Sequence, residues 1–517
     1  MDRIKGSINK HRSDPLAESF AGFIRRLSRK LGASPGAVDA AGRAAAACID
    51  ALSEGNVCPD IRSLSTSIGG SEKDIRALLL SSGVFMTEDE DRKLPLVLDE
   101  HGRMYLYRYY HYEVQLARLI VGRMSKDAER SLHPDTIKFI NERFAGNDKR
   151  LAGRPDRQKA AVLLALKSPL AVISGGPGTG KTTIVTALIA ALALNDPPPR
   201  IALAAPTGKA AARMEDAMRR QIDTLPPDLI KRLPDRASTL HRLLGAKSDS
   251  GEFSHGVENP LPYDWVVVDE ASMIDLSLAF HLFGALSSGT GVVLLGDKDQ
   301  LAAVEAGAVF ADLARPSFLA GNTEDDPADP KGEKASSWPN PEEEKRSVSD
   351  WGVWLAENYR FAASSSIGAL ANMVVSGRDT ELGQWLQTQT GDEIQWKSVE
   401  NGFPSEIVDL LICGFQTYLN AVKEGDPVRV CKAYERYCVL CAIRRGTRGV
   451  EGLNDIIARK LRFGMAGEVS DDSPWYNGRP VMITENDYNL GLFNGDIGIT
   501  LAGKNSGLQV WFATKEG

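Results

Sequence analysis

A chain of 517 residues, 43% hydrophobic and 25% charged, is too long for a single core and suggests roughly three domains. Its formal net charge of −7 argues against a wholly basic nucleic-acid coat while leaving room for a local basic groove. No apolar run approaches the ~18 residues of a membrane span, Met1 to Asp14 lack the apolar stretch of a secretory signal, and six cysteines are too few for a disulfide framework, so the sequence reads as cytoplasmic with no membrane partner.

Residues 1–130 read as a helical domain. In "LAESFAGFIRRLSRKLG" the spacing puts Phe20, Ile24, Leu27 and Leu31 on one face, and "AVDAAGRAAAACIDAL" continues the pattern. The domain closes near "RMYLYRYYHYEVQLARLI", a strand-like start passing into a helix that carries Glu113, Leu116 and Ile120. Its tyrosines, with Arg103, Arg108 and His111, suit a stacking surface for nucleic acid; the reading favoured here is a buried strand and helix.

Over 140–320 the texture changes to short β-branched runs, "LAVIS", "IALAA", "WVVVDE" and "GVVLLGD", alternating with helices, which implies a parallel sheet covered on its faces. The stretch "ISGGPGTGKTT" fits G-x-x-x-x-G-K-[ST] between a strand and a helix, the context that motif requires. Its residues Gly175, Gly176, Pro177, Gly178, Thr179, Gly180, Lys181, Thr182 and Thr183 form a candidate ATP site. Glycines let backbone N–H groups turn inward around phosphate oxygens, the helix N-terminus adds partial positive charge, Lys181 reaches the β and γ phosphates, and Thr182 holds Mg²⁺.

A neighbouring strand must supply a carboxylate for the metal, and "WVVVDEAS" offers Asp269 as the Mg²⁺ partner and Glu270 as general base or water-positioning group. "GVVLLGDKDQL" ends in Gln300, an amide able to sense the γ-phosphate. Gln158, upstream in "RPDRQKAAVLLAL", could read both donor and acceptor on an adenine edge. Two further loops, "APTGKAA" with Thr207 and Lys209 and "STLHRLL" with Thr239, His241 and Arg242, have a phosphate-holding geometry that ATP does not need. Several such loops at successive strand ends suit a repeating phosphodiester better than one acceptor pocket; a plain helix cap and an exposed His and Arg are the alternative readings.

Residues 321–350 hold nine acidic and four basic residues and four prolines, and read as a solvated, disordered insertion. From 351 to 517 the α/β texture resumes, with "CVLCAI" as a buried strand, "GVEGLNDIIARKL" as a helix, and "RPVMITEND" and "FNGDIGITL" as the strands of a small β insertion near 479–501. Cys438 and Cys441 could form half of a zinc or redox site, but no second ligand pair follows them.

The order "GGPGTGKTT", "APTGKAA", "TLHRLL", "VVDEASM", "LLGDKDQLAAVEAGAVF", "LAENYRF" resembles the RecD family of superfamily-one DNA helicases, the alpha subunit of exodeoxyribonuclease V. "LYRYYHYEVQLA", "CAIRRGTRGVEGLN" and "GRPVMITENDYNLGLFNGDIGI" are similar to the family's N-terminal domain and C-terminal half, so the likeness runs from about "GNVCPDI" to "GDIGI". The resemblance implies a 5′-to-3′ single-strand translocase driven by ATP and Mg²⁺. It would work with RecB-like and RecC-like subunits on duplex ends in double-strand-break repair and recombination, with nuclease activity only through the complex.

By the same resemblance, Gln158 matches the adenine-reading glutamine, Lys181 and Thr182 the phosphate and metal ligands, and Asp269 and Glu270 the metal and catalytic acids. Gln300 matches the γ-phosphate sensor, and Arg360 an arginine that contacts phosphate from the second motor domain. Thr207, Lys209 and His241 match loops that touch DNA, and the helical domain matches the part that docks onto RecC.

The family's "T-x-H-K-x-Q-G-S-E" segment and final "Y-T-A-x-T-R" arginine are not found after "LQVWF". The expectation is a shortened reading of a longer protein, or a natural short form that binds ATP and turns it over poorly. The fold expected is α/β: a helical N-terminal domain, one complete RecA-like P-loop domain over 140–320, and a second, incomplete one over 351–517 with an exposed sheet edge. Two other functions fit the sequence: a non-motor ATP-binding subunit that stabilises a partner complex, and a stand-alone or conjugative relative of the helicase.

Overall fold

The computed structural model describes residues 15–88, 92–124, 130–147, 151, 154–222, 225–234, 236–247, 252–301, 305–315, 351–360, 365–389, 393–399, 404–464, 473–484, 487, 490, 492, 494–503 and 507–513. The acidic insertion over 321–350 lies outside them. The chain forms two compact units that meet between Ala369 and Leu370.

In the first unit, helices Pro15–Lys30 and Pro35–Ser53 pack against each other. Ser34 opens the second by accepting the Ala37 N–H, and Pro35 sits where a helix has no use for its missing donor. Their inner faces, with Ile24, Ala41 and Ala45, join Leu79, Leu96, Leu98 and Met104 in one core. The helical expectation gains a small sheet here. Strands β1 (Phe85–Met86), β2 (Leu96–Leu98) and β3 (Met104–Leu106) pair in that order, β1 parallel and β3 antiparallel to β2. The run Leu96-Val97-Leu98 is buried throughout and too short for a helix.

Strand β3 leads directly into helix Tyr107–Met124, as the sequence predicts. Tyr105 and Tyr112 are buried, and Leu116 and Ile120 enter the core beneath the large sheet, where Tyr112 stacks on Phe280 at 4.7 Å. The rings are thus spent on packing. They also bind the N-terminal helices and the large sheet into one compact unit, which the sequence divides near residue 130.

That sheet has six strands: β4 (Leu170–Gly175), β5 (Ile201–Ala205), β6 (Ala237–Thr239), β7 (Trp265–Val268), β8 (Gly291–Gly296) and β9 (Gly352–Leu355). They lie in the order β6-β5-β7-β8-β4-β9, every pair parallel. Alternation sends Val172, Val266, Val268 and Leu294 into one core and Ile173, Val267, Val293 and Leu295 into another, so both faces are covered and the strands read as unbroken apolar runs. The four strands expected between 140 and 320 are all present.

Strand β9 corrects one expectation. Its sequence "GVWL" belongs to the stretch assigned to a second α/β domain, yet it pairs with β4 from Val172↔Gly352 to Gly175↔Leu355. Four consecutive buried residues need a ladder partner and apolar cover; the open edge of β4 supplies the first, and helix Arg157–Lys167 packs against the strand. Because all six strands are parallel, their carboxyl ends share one edge of the sheet, where crevices form between the strand-to-helix loops.

The second unit packs helices Gln416–Glu424, Pro427–Tyr434 and Val450–Gly464 around Tyr418, Val422, Val430 and Leu461. Ile499 and Leu501 join that core from a sheet in which β10 (Pro480–Met482), β11 (Ile497–Gly503) and β12 (Gly507–Phe512) are antiparallel. The expected β hairpin and the helix over "GVEGLNDIIARKL" are therefore present. The strand expected at "CVLCAI" is not: residues 437–443 are neither strand nor helix, and Leu440 is 90% exposed. A buried parallel strand needs neighbours to pair with, and the described sheet of this unit, β10-β11-β12, is antiparallel and does not include that run. Cys438 is exposed, and no described His, Cys, Asp or Glu cluster could hold a metal with it.

Candidate nucleotide site

The loop after β4 is shaped by glycine. Gly178 and Gly180 have φ of +83° and +86°, a left-handed backbone that L side chains rarely adopt. A Cβ on Gly180 would lie 2.0 Å from Gln158 Nε2, and one on Gly178 would lie 2.5 Å from Arg360 Cβ. The loop ends at helix Lys181–Ala193, which no side chain caps, so its first N–H groups are left for a ligand. Lys181 Nζ donates to Gly175 O at 2.5 Å, and Thr179 Oγ1 donates to Gly176 O at 2.8 Å. Gln221 reaches across to Thr183 Oγ1, whereas the Thr182 hydroxyl has no hydrogen bond among the described residues.

Gln158 stands in helix Arg157–Lys167, capped by Asp156. It is buried, and its Nε2 donates to Thr179 O at 2.9 Å. In this structure the amide proposed for adenine therefore braces the phosphate loop. A second brace comes from the other side. After β9, Tyr359 N donates to Gly178 O at 2.7 Å and Asn358 Nδ2 to Pro177 O at 3.0 Å, while Asn358 Oδ1 accepts from Arg360 N. Arg154 and Glu357 pair at 2.5 Å beside them. Arg360, expected from the second motor domain, thus belongs to the first unit and lies against the phosphate loop, because β9 carries it there. Its guanidinium has no partner among the described residues.

Asp269 and Glu270 follow β7. Loss of water pushes the Asp269 carboxyl above the usual carboxylate range; the Glu270 N–H at 2.9 Å and the Lys181 charge pull it partly back, while the Glu270 charge adds to the rise. Glu270 is the only described residue other than glycine with positive φ, at 53°. Such strain is typical of functional positions. It turns the chain into the short turn Ala271–Met273, where the Ser272 hydroxyl donates to Gln300 Oε1 at 2.8 Å. Beyond β8, Lys298 N donates to Ser174 Oγ, tying the loop of Gln300 back to β4.

The remaining predicted residues lie at the carboxyl ends of β5 and β6. Thr207 accepts the Ala210 N–H and starts helix Gly208–Ile222, on which Lys209 is exposed. Thr239 caps helix Leu240–Leu243 by accepting the Arg242 N–H, and exposed His241 lies 5.9 Å from the Phe253 ring. One edge therefore gathers the predicted residues that end or follow strands, the nucleotide set with β9, β4, β8 and β7 and the proposed DNA set with β5 and β6, while Gln158 reaches the same edge from helix Arg157–Lys167. The sequence did not reveal Asn358, Arg154 or Ser272, which act through contacts between distant segments. The one local signal is that each lies within six residues of a residue already singled out.

An acid set of one carboxylate and one hydroxyl offers hard oxygen donors, which suit Mg²⁺ completed by phosphates and water. Asp269, whose Oδ1 accepts only the Glu270 N–H among the described residues, and the Thr182 hydroxyl, which has no hydrogen bond among them, fit that requirement.

A family model of an AAA domain matches residues 158–306. The chain is 34% identical over 477 residues to the RecBCD enzyme subunit RecD of Mycolicibacterium smegmatis, covering 89% of this chain and 75% of that one. It is 29% identical over 415 residues to the ATP-dependent RecD2 DNA helicase of Deinococcus radiodurans, covering 80% and 46%. Among solved structures it is similar to Bacteroides Pif1 bound to single-stranded DNA, with a TM-score of 0.33 and 16% identity over 70% of this chain and 72% of that one.

Proposed function

This chain belongs to the RecD family, and from that premise we propose that it is an ATP-dependent DNA helicase subunit of a RecBCD-type enzyme, moving 5′ to 3′ on single strands at duplex ends. RecB-like and RecC-like subunits are its partners in repair and recombination, the helices before residue 130 dock it onto the latter, and it acts in the cytoplasm, where its DNA is. No helix among the described residues is long and apolar enough to cross a membrane. The second unit is part of a second motor domain, with β10 and β11 as its β insertion.

One observation carries the reading: Lys181, Asp269, Glu270, Gln300 and Arg360 are brought to one edge by four adjacent parallel strands. Backbone N–H groups at the start of helix Lys181–Ala193 bind the phosphates, with Lys181 leaving Gly175 O to reach them. Thr182 and Asp269 hold Mg²⁺, which when bound neutralises charge on the phosphates. Glu270 takes the proton of the attacking water, and its fixed backbone aims the carboxylate. Gln300 and Arg360 add donors to the charge that develops on the transferred group. Thr207, Lys209, Thr239 and His241 hold the strand.

Steady-state ATP hydrolysis with and without single-stranded DNA tests this. Turnover stimulated by DNA, lost by roughly a hundredfold or more in Lys181→Ala, is the expected result. Hydrolysis indifferent to DNA, or surviving the substitution, would overturn it.

A further inference from the structure

We propose that Ser272 is a positioning residue for the γ-phosphate sensor: its hydroxyl tethers the Gln300 carboxamide by its oxygen and leaves the amide nitrogen for the nucleotide. This rests on the reading of Gln300 given above. A carboxamide has an accepting oxygen and a donating nitrogen, and only the nitrogen can bond a phosphate oxygen. Rotation by half a turn would set the amide oxygen against an anionic phosphate that has no proton to give it, so the tether is made at the oxygen. Ser272 Oγ donates to Oε1 at 2.8 Å, which occupies the accepting end. The Nε2 donors have no partner among the described residues and remain for the ligand.

The geometry around the pair is built to hold it. Ser272 is only 8% exposed, in the turn that Glu270 starts with its left-handed backbone. The end of β8 comes so near that a Cβ on Gly296 would lie 2.9 Å from Ser272 N. Gln300 N donates to Asp297 O, which fixes the other side of the pair. The serine therefore links the turn carrying the acids, on β7, to the loop carrying the sensor, on β8. Loss of the γ-phosphate at the sensor would be felt at the turn that follows the acids through this hydroxyl.

The test is a double-mutant cycle of Ser272→Ala and Gln300→Ala, with Ser272→Thr as the hydroxyl-retaining control. It reads the ratio of ATPγS to ADP affinity by titration calorimetry, and kcat and KM for ATP with single-stranded DNA. Ser272→Ala should lower the affinity ratio and kcat by roughly three- to tenfold, the worth of one hydrogen bond, with little change in ADP affinity. In the Gln300→Ala background it should cost nothing further, and Ser272→Thr should restore the ratio. An equal loss in both backgrounds would show a merely structural serine and overturn the inference while leaving the proposed function intact. Wild-type protein that binds neither nucleotide would overturn that function and this inference with it.

Discussion

At the amino ends of β7 and β8, charge is answered by a partner. Arg123 donates to the carbonyls of Leu286, Ser287 and Thr290 ahead of β8; Arg130 donates through Nη2 to Gly289 O and stacks on Trp265 at 4.4 Å, its buried Nη1 lacking a hydrogen bond among the described residues; exposed Asp264, just before β7, is paired with Arg200. At the carboxyl ends the reverse holds. Asp269, five residues from Asp264 across the same strand, forms no ion pair among the described residues and feels only the nearby Lys181 charge, Glu270 is strained, and the first N–H groups of helix Lys181–Ala193 are uncapped. The two aspartates show it most plainly: the Arg200 hydrogen bond holds Asp264 below its ordinary range, and desolvation drives Asp269 above it. One edge is built for stability, and the other holds unsatisfied groups for a ligand to complete.

Replacing Asp269 by Asn should break that contrast most strongly, and with opposite signs. Hydrolysis should fall by roughly a hundredfold or more as the metal loses its carboxylate. Stability should rise. A carboxyl whose folded pKa lies above its unfolded value, about 3.9, binds its proton more tightly when folded, so stability declines as pH rises through that interval and the deficit is complete above the folded value. A neutral amide removes the deficit. In thermal melts without Mg²⁺ or nucleotide, Asn should unfold at higher temperature than wild type at neutral pH, and the gap should close as the pH falls below the ordinary carboxylate range. A gap of constant size would show that the charge of Asp269 is not what it costs to fold the site.

The amino-end edge should answer in the other sense. Arg123→Met keeps the apolar stem and removes the guanidinium, leaving three carbonyls without their donor. The loss should be about 4 kcal/mol in urea unfolding. Hydrolysis per folded molecule should not change, because Arg123 stands at the far end of the strands from Lys181. If turnover fell in step with stability, the separation of the two edges would be wrong.

Most of the first unit was legible because its signals are local. A phosphate loop, an acidic pair after "WVVV" and an apolar run before "GDKDQ" each name a strand end, and parallel topology does the rest. What stayed hidden depends on contacts between segments far apart in the chain. Neither the pairing of β9 with β4, 180 residues apart, nor the bond from Ser272 to Gln300 leaves a periodic trace. Gln158 was identified by residue type, but its bond to Thr179 O has no signature in sequence. The run "CVLCAI" exposes the opposite limit. Its composition is that of a buried strand, and composition cannot say whether a neighbouring strand is there to receive it.

That last point separates two leucines in runs of similar apolar character. Leu295 lies in β8 between β7 and β4, fully buried, whereas Leu440 in the second unit is 90% exposed. Leu295→Ala should cost about 3 kcal/mol, from lost transfer energy and the cavity left between packed strands. Leu440→Ala removes a side chain that touches mainly water and should change stability by about 0.5 kcal/mol or less. Urea unfolding of the two variants, each followed by intrinsic fluorescence, measures both. A large cost at Leu440 would mean that the run is covered in solution, and that its strand-like composition is realised against a partner after all. Equal small costs would instead undercut the packing assigned to β8. The ratio of the two costs thus tests directly whether neighbours, more than composition, decide which apolar run becomes a strand.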